Sequence, residues 1–210
     1  MFAAHGPQHW WPAKSRFEVI VGAILTQNTA WTNVEQAIAS LRKERLLTVD
    51  ALEHVSLPEL ARLIRPSGYF RQKARKLKEF VRFLISQHNG SLTKMFQTPT
   101  SILRQQLLAV HGIGPETADS ILLYAGDHPV FVVDAYTRRI LQRHGMADGK
   151  ESYADVRALF EKSLPANSQL FNEFHALIVH TGKHFCRSKA AACSACSLYR
   201  YLPQIPESAR

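Results

Sequence analysis

The stretch LLAVHGIGPETADSILLYAG, residues 107–126, decides how the rest of the chain is read. Its apolar residues recur at helical spacing on both sides of a G-I-G turn. Gly112 and Gly114 tolerate positive φ and let another backbone come close. Pro115 suits the first position of the second helix, where its missing N–H has no intrahelical partner to lose. The pattern predicts a helix, a tight turn and a second helix whose free N–H groups face outward. Such a turn is a seat for a phosphate. A plain αα-hairpin would also accept glycine here, so the turn alone leaves both readings open.

Twenty residues beyond Gly114 lies Asp134, in VFVVDAYTRRIL, residues 130–141. An acid between a hydrophobic run and a helix is first of all an N-cap. The same position favours the ionised carboxylate, through the helix dipole and the free N–H groups. An anion held there can stabilise a sugar cation and orient a water.

Working outward, helical periodicity dominates. Phe17, Ile20, Val21, Ile24 and Leu25 fit the core face of one helix. Asn33 and Gln36 read as a capping box opening the next, and Ser56 with Glu59 as another, with Pro58 inside that helix's first turn. Pro66, Ser67 and Gly68 predict a turn before a long helix that carries Ala74, Leu77, Val81 and Leu84 inward and ends at 88–90. Further helices are expected near 101–109, 134–144, 153–163 and 169–180. The only strand-like run, 129–133, is too short and solitary to build a sheet. The fold class expected is all-α, with a loose tail over 202–210.

Composition narrows the function classes. The 210 residues carry 26 Lys and Arg against 17 Asp and Glu, a net charge of +9, which favours a polyanionic partner. Hydrophobic residues make up 46%, which excludes a wholly disordered chain. The three cysteines all lie between Cys186 and Cys196, so they form no secreted disulfide framework. The first residues lack the order of a signal peptide, and 19–34 is too polar to span a bilayer. The expectation is an intracellular protein without a membrane partner, cytoplasmic and with the nucleoid if bacterial.

Hairpin and acid together, G-I-G-P-E-T-A and then V-D, resemble the helix-hairpin-helix DNA glycosylase superfamily, in its endonuclease III branch. AILTQNT, residues 23–29, is similar to that family's first barrel helix, and RPSGYFRQKARKL, residues 65–77, to its wedge loop and following helix. The resemblance runs from about Trp10 to Cys196. It implies two lobes with damaged double-stranded DNA and the base pocket in the cleft between them. A six-helix barrel would take 17–128, and a second helical domain 1–16 plus 129–210. By the same resemblance Asp134 is the catalytic acid, Gln27 fills the gap left by the extruded base, and Tyr69 wedges the duplex. DNA contact falls to Gly112, Gly114, Thr117 and Arg138. Backbone carbonyls of Leu108, Val110 and Ile113 would hold a monovalent cation.

The lyases of that branch carry a nucleophilic Lys where this chain has Glu116. A carboxylate cannot form a Schiff base, so hydrolysis without strand cleavage is expected. The aromatic set Trp10, Trp11, Pro12 and Trp31 looks like that of the endonuclease III-like 3-methyladenine DNA glycosylases, as does Glu116, and stacking selects a cationic base over a neutral one. The other reading is that these tryptophans seal the core under the N-terminal segment; the pocket is favoured here. Lys183 sits where that subgroup also has a lysine, and burial would lower its pKa.

Cys186, Cys193 and Cys196 match three of the four ligands of the family's [4Fe–4S] loop, but the fourth position is Leu202. Either the site is degenerate, the reading favoured here, or a non-cysteine ligand completes it. His184 is too close along the chain for good zinc geometry. Arg71, Lys73, Arg75, Lys76 and Lys78 follow the wedge loop; such a charge run is usually a solvated face, but here some of its side chains are expected to meet phosphates, as are Arg138 and Arg139. The expected activity is monofunctional excision of alkylated purines such as 3-methyladenine by a monomer, with no cofactor required for catalysis. The alternatives are a bifunctional glycosylase/lyase on oxidised pyrimidines and a catalytically silent binder of damaged DNA.

Overall fold

The computed structural model describes residues 1–203; the expected tail from 204 onward lies outside the described residues. The helices, in chain order, are α1 (Phe2–His5), α2 (Arg16–Leu25), α3 (Trp31–Lys43), α4 (Val49–His54), α5 (Leu57–Leu63), α6 (Phe70–His88), α7 (Leu92–Phe96), α8 (Thr100–Ala109), α9 (Pro115–Ser120), α10 (Ala135–Arg143), α11 (Tyr153–Ser163) and α12 (Ser168–His184). A π-helical turn, Ile121–Ala125, continues α9. Among the described residues there is no strand, and no helix is long and apolar enough to cross a membrane.

The chain divides into two compact units, Trp11–His128 and Met1–Trp10 with Pro129–Arg210. Residues 11–16 therefore pack with the larger helical unit rather than with the second domain.

In the larger unit α2 is the axis. Every residue from Phe17 to Leu25 is buried, not merely one face, because other helices surround it. That places Glu18 inside, where its carboxylate accepts from Arg42 of α3 at 2.7 Å. The capping box expected at Asn33 is not there. Helix α3 begins earlier, at Trp31 after Ala30, and Asn33 turns back to the Thr29 hydroxyl. Ser56 does cap α5 by accepting from Glu59 N–H. Asn89 ends α6 in the left-handed conformation. Short α4 and α7 carry one buried residue each, Leu52 and Met95, which is too weak a periodicity to show in sequence.

In the smaller unit the apolar run 130–133 is buried but unpaired with any strand. The Glu161 carboxylate accepts from Phe131 N–H at 3.0 Å, and the Tyr153 hydroxyl from Val133 N–H at 3.3 Å. Phe131 stacks on Phe160 at 3.9 Å and meets Phe171 edge-on. A run buried on all sides reads as a strand, while tertiary partners here take its N–H groups.

Candidate active site and nucleic-acid interface

The hairpin is α8, the turn at 110–114, and α9. Gly112 has φ +87°, and a Cβ there would lie 2.5 Å from the Lys76 Cγ, so the turn needs glycine both for its backbone and for space. Arg104 on α8 donates a fork to buried Asp119 on α9, at 2.7 and 3.1 Å, and locks the two helices together. The Val110 carbonyl accepts from Ile113 N–H, which tightens the bend.

Gln27, just past the C-terminus of α2, is drawn onto this turn. Its Nε2 donates to the Gly112 carbonyl at 3.2 Å and to the Thr117 hydroxyl at 2.9 Å, and Lys76 donates to its Oε1. The first four expected site residues of the turn region, Gln27, Gly112, Gly114 and Thr117, thus belong to one assembly, with Lys76 as the member not foreseen. Glu116 is exposed in the first turn of α9, beside the helix dipole.

Tyr69 caps the start of α6 with φ +45° and two-thirds of its surface in solvent. A bulky residue in the left-handed region is strained, and its neighbours must hold it there. Lys73 does so from below. Its ammonium donates to the Ser67 carbonyl at 2.5 Å and the Leu25 carbonyl at 2.9 Å, and the residue is 2% exposed. Burial first, and the Lys76 charge second, lower its pKa to about 8.

This corrects the reading of the basic run. Lys73 is a buried clamp, Lys76 serves Gln27, and Lys78 donates to the Glu53 and Val55 carbonyls. Arg71 and Arg75 are the ones left exposed. The burial of Lys73 was legible, because it falls on the stripe of Leu77, Phe80 and Leu84.

Among the aromatics, Trp11 and Trp31 meet edge to face at 5.0 Å, and Tyr124 of the π-helical turn lies 5.1 Å from Trp11. Gly22 leaves room for the Trp11 ring. Pro12 is exposed. Trp10 is grouped with the other unit. Tyr124 escaped sequence reasoning because it looks like one more apolar residue of the second hairpin helix.

In the smaller unit Asp134 is the N-cap of α10. Its Oδ1 accepts from Thr137 N–H at 2.7 Å and from the Thr137 hydroxyl at 2.9 Å, while His175 Nε2 stands 3.6 Å from Oδ2. Burial alone would raise the carboxyl pKa; the His175 ring and the Thr137 donors outweigh it and hold the group below the ordinary carboxylate value. Asp134 is therefore a largely buried anion, with one oxygen committed to the cap. His175, on α12, had no signal in the sequence.

The flanking arginines are occupied. Arg138 donates to the Glu151 carbonyl, and Arg139 to the Cys186 and Gly182 carbonyls. Arg139 is bound through Nε and Nη2, Arg138 through Nη1. Lys183 is exposed on α12, not buried beside a pocket. None of the three cysteines is in a disulfide. All three line one partly open cavity together with His144 and Leu202, with about 320 Å³ unfilled by protein atoms out to its mouth.

A glycine hairpin and an ionised, helix-capping acid define the helix-hairpin-helix class of DNA N-glycosylases. The model of the HhH-GPD superfamily of base excision DNA repair proteins matches residues 21–166, and the chain belongs to that superfamily. A protein of Methanocaldococcus jannaschii named as a DNA repair glycosylase is 47% identical over 199 residues, covering 94% of this chain and 90% of that one. The H. pylori 3-methyladenine DNA glycosylase MagIII, solved with 1,N6-ethenoadenine, is 30% identical with a TM-score of 0.75, over 87% of this chain and 91% of that chain. An endonuclease III–DNA complex shares the fold at 24% identity and a TM-score of 0.78, over 90% of this chain and 84% of that chain.

Proposed function

We propose that this glycosylase excises alkylated purines, 3-methyladenine among them, from damaged double-stranded DNA as a monomer, by hydrolysis without strand cleavage. The observation that carries the reading is Glu116. At the position after Gly114-Pro115 the chain presents a carboxylate, which cannot form the Schiff base of a lyase.

The extruded base carries a positive charge when alkylated, and an aromatic face of the kind formed by Trp11, Trp31 and Tyr124 favours it over a neutral base. Flipping costs less at a damaged pair. A cationic base is also a good leaving group, so little acid catalysis is needed. The sugar then develops positive charge, and the Asp134 carboxylate stabilises it and orients the attacking water. Gln27 fills the vacated stack and Tyr69 wedges the strands. MagIII, named as a 3-methyladenine DNA glycosylase, supports the same substrate class.

The test is incubation with methylated duplex DNA and chromatography of the released bases, with Asp134→Asn as control. Free 3-methyladenine from the wild type alone supports the reading. Release of oxidised pyrimidines with an adduct trapped by borohydride would instead establish a lyase working through another lysine. Salt-sensitive binding without any release would leave a silent binder.

A further inference from the structure

We propose that His144 is the fourth ligand of a [4Fe–4S] cluster held by Cys186, Cys193 and Cys196. The donor set decides whether such a group fits. Three thiols and one imidazole line a single cavity, while the position that would carry a fourth thiol is Leu202, an apolar wall of the same cavity. Among the described residues no three of these donor atoms lie within 4.8 Å of one another. One tetrahedral zinc would draw its thiolates to roughly 3.8 Å apart, from Zn–S bonds of about 2.3 Å. A [4Fe–4S] group binds each ligand at a separate iron, so its four donors need not gather around one atom.

The imidazole is prepared for the role. His144 is the C-cap of α10, and its Nδ1 lies 3.0 Å from the Tyr201 carbonyl. A carbonyl only accepts, so Nδ1 carries the proton and Nε2 keeps the lone pair. A ring nitrogen tied to a backbone carbonyl, with the other left to ligate, is the usual support of a metal-bound histidine. Tyr201 immediately precedes Leu202, so the turn that lacks the fourth thiol supplies the carbonyl that orients its replacement.

The surroundings suit bound thiolates as well. Arg143 donates to the Cys186 Sγ at 3.2 Å, and also to the Arg187 and Ser188 carbonyls. Arg139 holds the Cys186 carbonyl. N–H donors to sulfur and an apolar shell are the levers by which a protein stabilises such a cluster. On ligation each thiol loses its proton, and the imidazole binds neutral. Bound there, the cluster would tie the loop 186–202 to α10 and provide a one-electron centre.

The full-length chain, reconstituted without oxygen using ferrous iron, ferric iron and sulfide, is expected to retain about four irons and four sulfides. Pulsed paramagnetic resonance of the reduced protein should show coupling to one imidazole nitrogen. His144→Ala should lose that coupling and most of one iron equivalent, and adding Leu202→Cys to that variant should restore the iron without the nitrogen coupling. Wild-type protein that takes up no iron and sulfide, or binds only zinc, would overturn the proposal. So would a full cluster without nitrogen coupling that His144→Ala leaves intact. If His144→Ala fails to fold, the wild-type nitrogen coupling and the double variant decide the question.

Discussion

Lys76 and Gln27 form the contact on which the hairpin assembly turns: the Lys76 ammonium donates to the Gln27 Oε1. An ammonium cannot accept, so the other end of the amide, Nε2, must face the Gly112 carbonyl and Thr117. One lysine on α6 thereby orients a glutamine at the end of α2 onto a turn between α8 and α9.

Replacing Lys76 with Met should leave the helix in place and free the Gln27 amide. The charge-assisted bond lost is worth about 1.5–3 kcal/mol, less where solvent reaches it. Excision from duplex DNA should fall about tenfold, chiefly in kcat/KM. Single-turnover kinetics beside urea unfolding checks this, and an unchanged kcat/KM would show that Gln27 does not act from this position.

Asp134→Asn keeps the cap acceptor but removes the charge. Loss of electrostatic stabilisation of this kind costs about 10²–10³ in rate, with binding to abasic-analogue DNA retained. The wild-type pH profile should show its acid limb below the ordinary carboxylate value of 3.8, because the folded pKa is lowered. By the same sign, the stability that the group contributes is present above the unfolded pKa and is lost as pH falls through the folded one. An acid limb above the ordinary value would contradict that ionisation.

Asp119 is fully buried against Arg104. Asp119→Ala leaves a half-buried guanidinium without its carboxylate and should cost about 3–5 kcal/mol, seen as a drop in Tm. A loss below about 1 kcal/mol would show that the two hairpin helices do not depend on the pair.

Lys73 gives a stability signature in the basic range. Its folded pKa is about 8 against an ordinary 10.5, so between these values the unfolded chain binds more protons. Unfolding free energy from this group should therefore rise with pH across that window. Urea titrations of wild type and Lys73→Met at about pH 7 and about pH 10 isolate it. An identical pH response in the two proteins would refute it.

Local pattern was enough for several elements. Gly112 and Pro115 announce the hairpin, Gly112 because its φ of +87° and the Lys76 chain exclude a side chain; Gly114, at φ −92° in open space, needs no glycine, contrary to expectation. Ser56 announces its helix by a cap that spans one turn. The same is true of Asp134, whose capping role depends on three residues of sequence. The basic run misled, because charge was weighed before the helical stripe that places Lys73 inside. The run 129–133 stays out of any sheet, as its shortness predicts, and the structure adds how it manages alone: Phe131 and Val133 N–H are taken by Glu161 and Tyr153 from distant helices.

By itself, then, the sequence determined what depends on neighbours along the chain: an all-helical fold, a glycine hairpin, an ionisable acid at a helix start, and three thiols with a leucine in place of the fourth. Tertiary structure alone decided which partners those groups meet. His175 reaches Asp134, Tyr124 joins Trp11 and Trp31, Lys76 turns Gln27, and His144 enters the cysteine cavity. Each of these pairings joins different helices or loops, and the packing of side chains that brings them together leaves no period or spacing in the linear sequence to announce it.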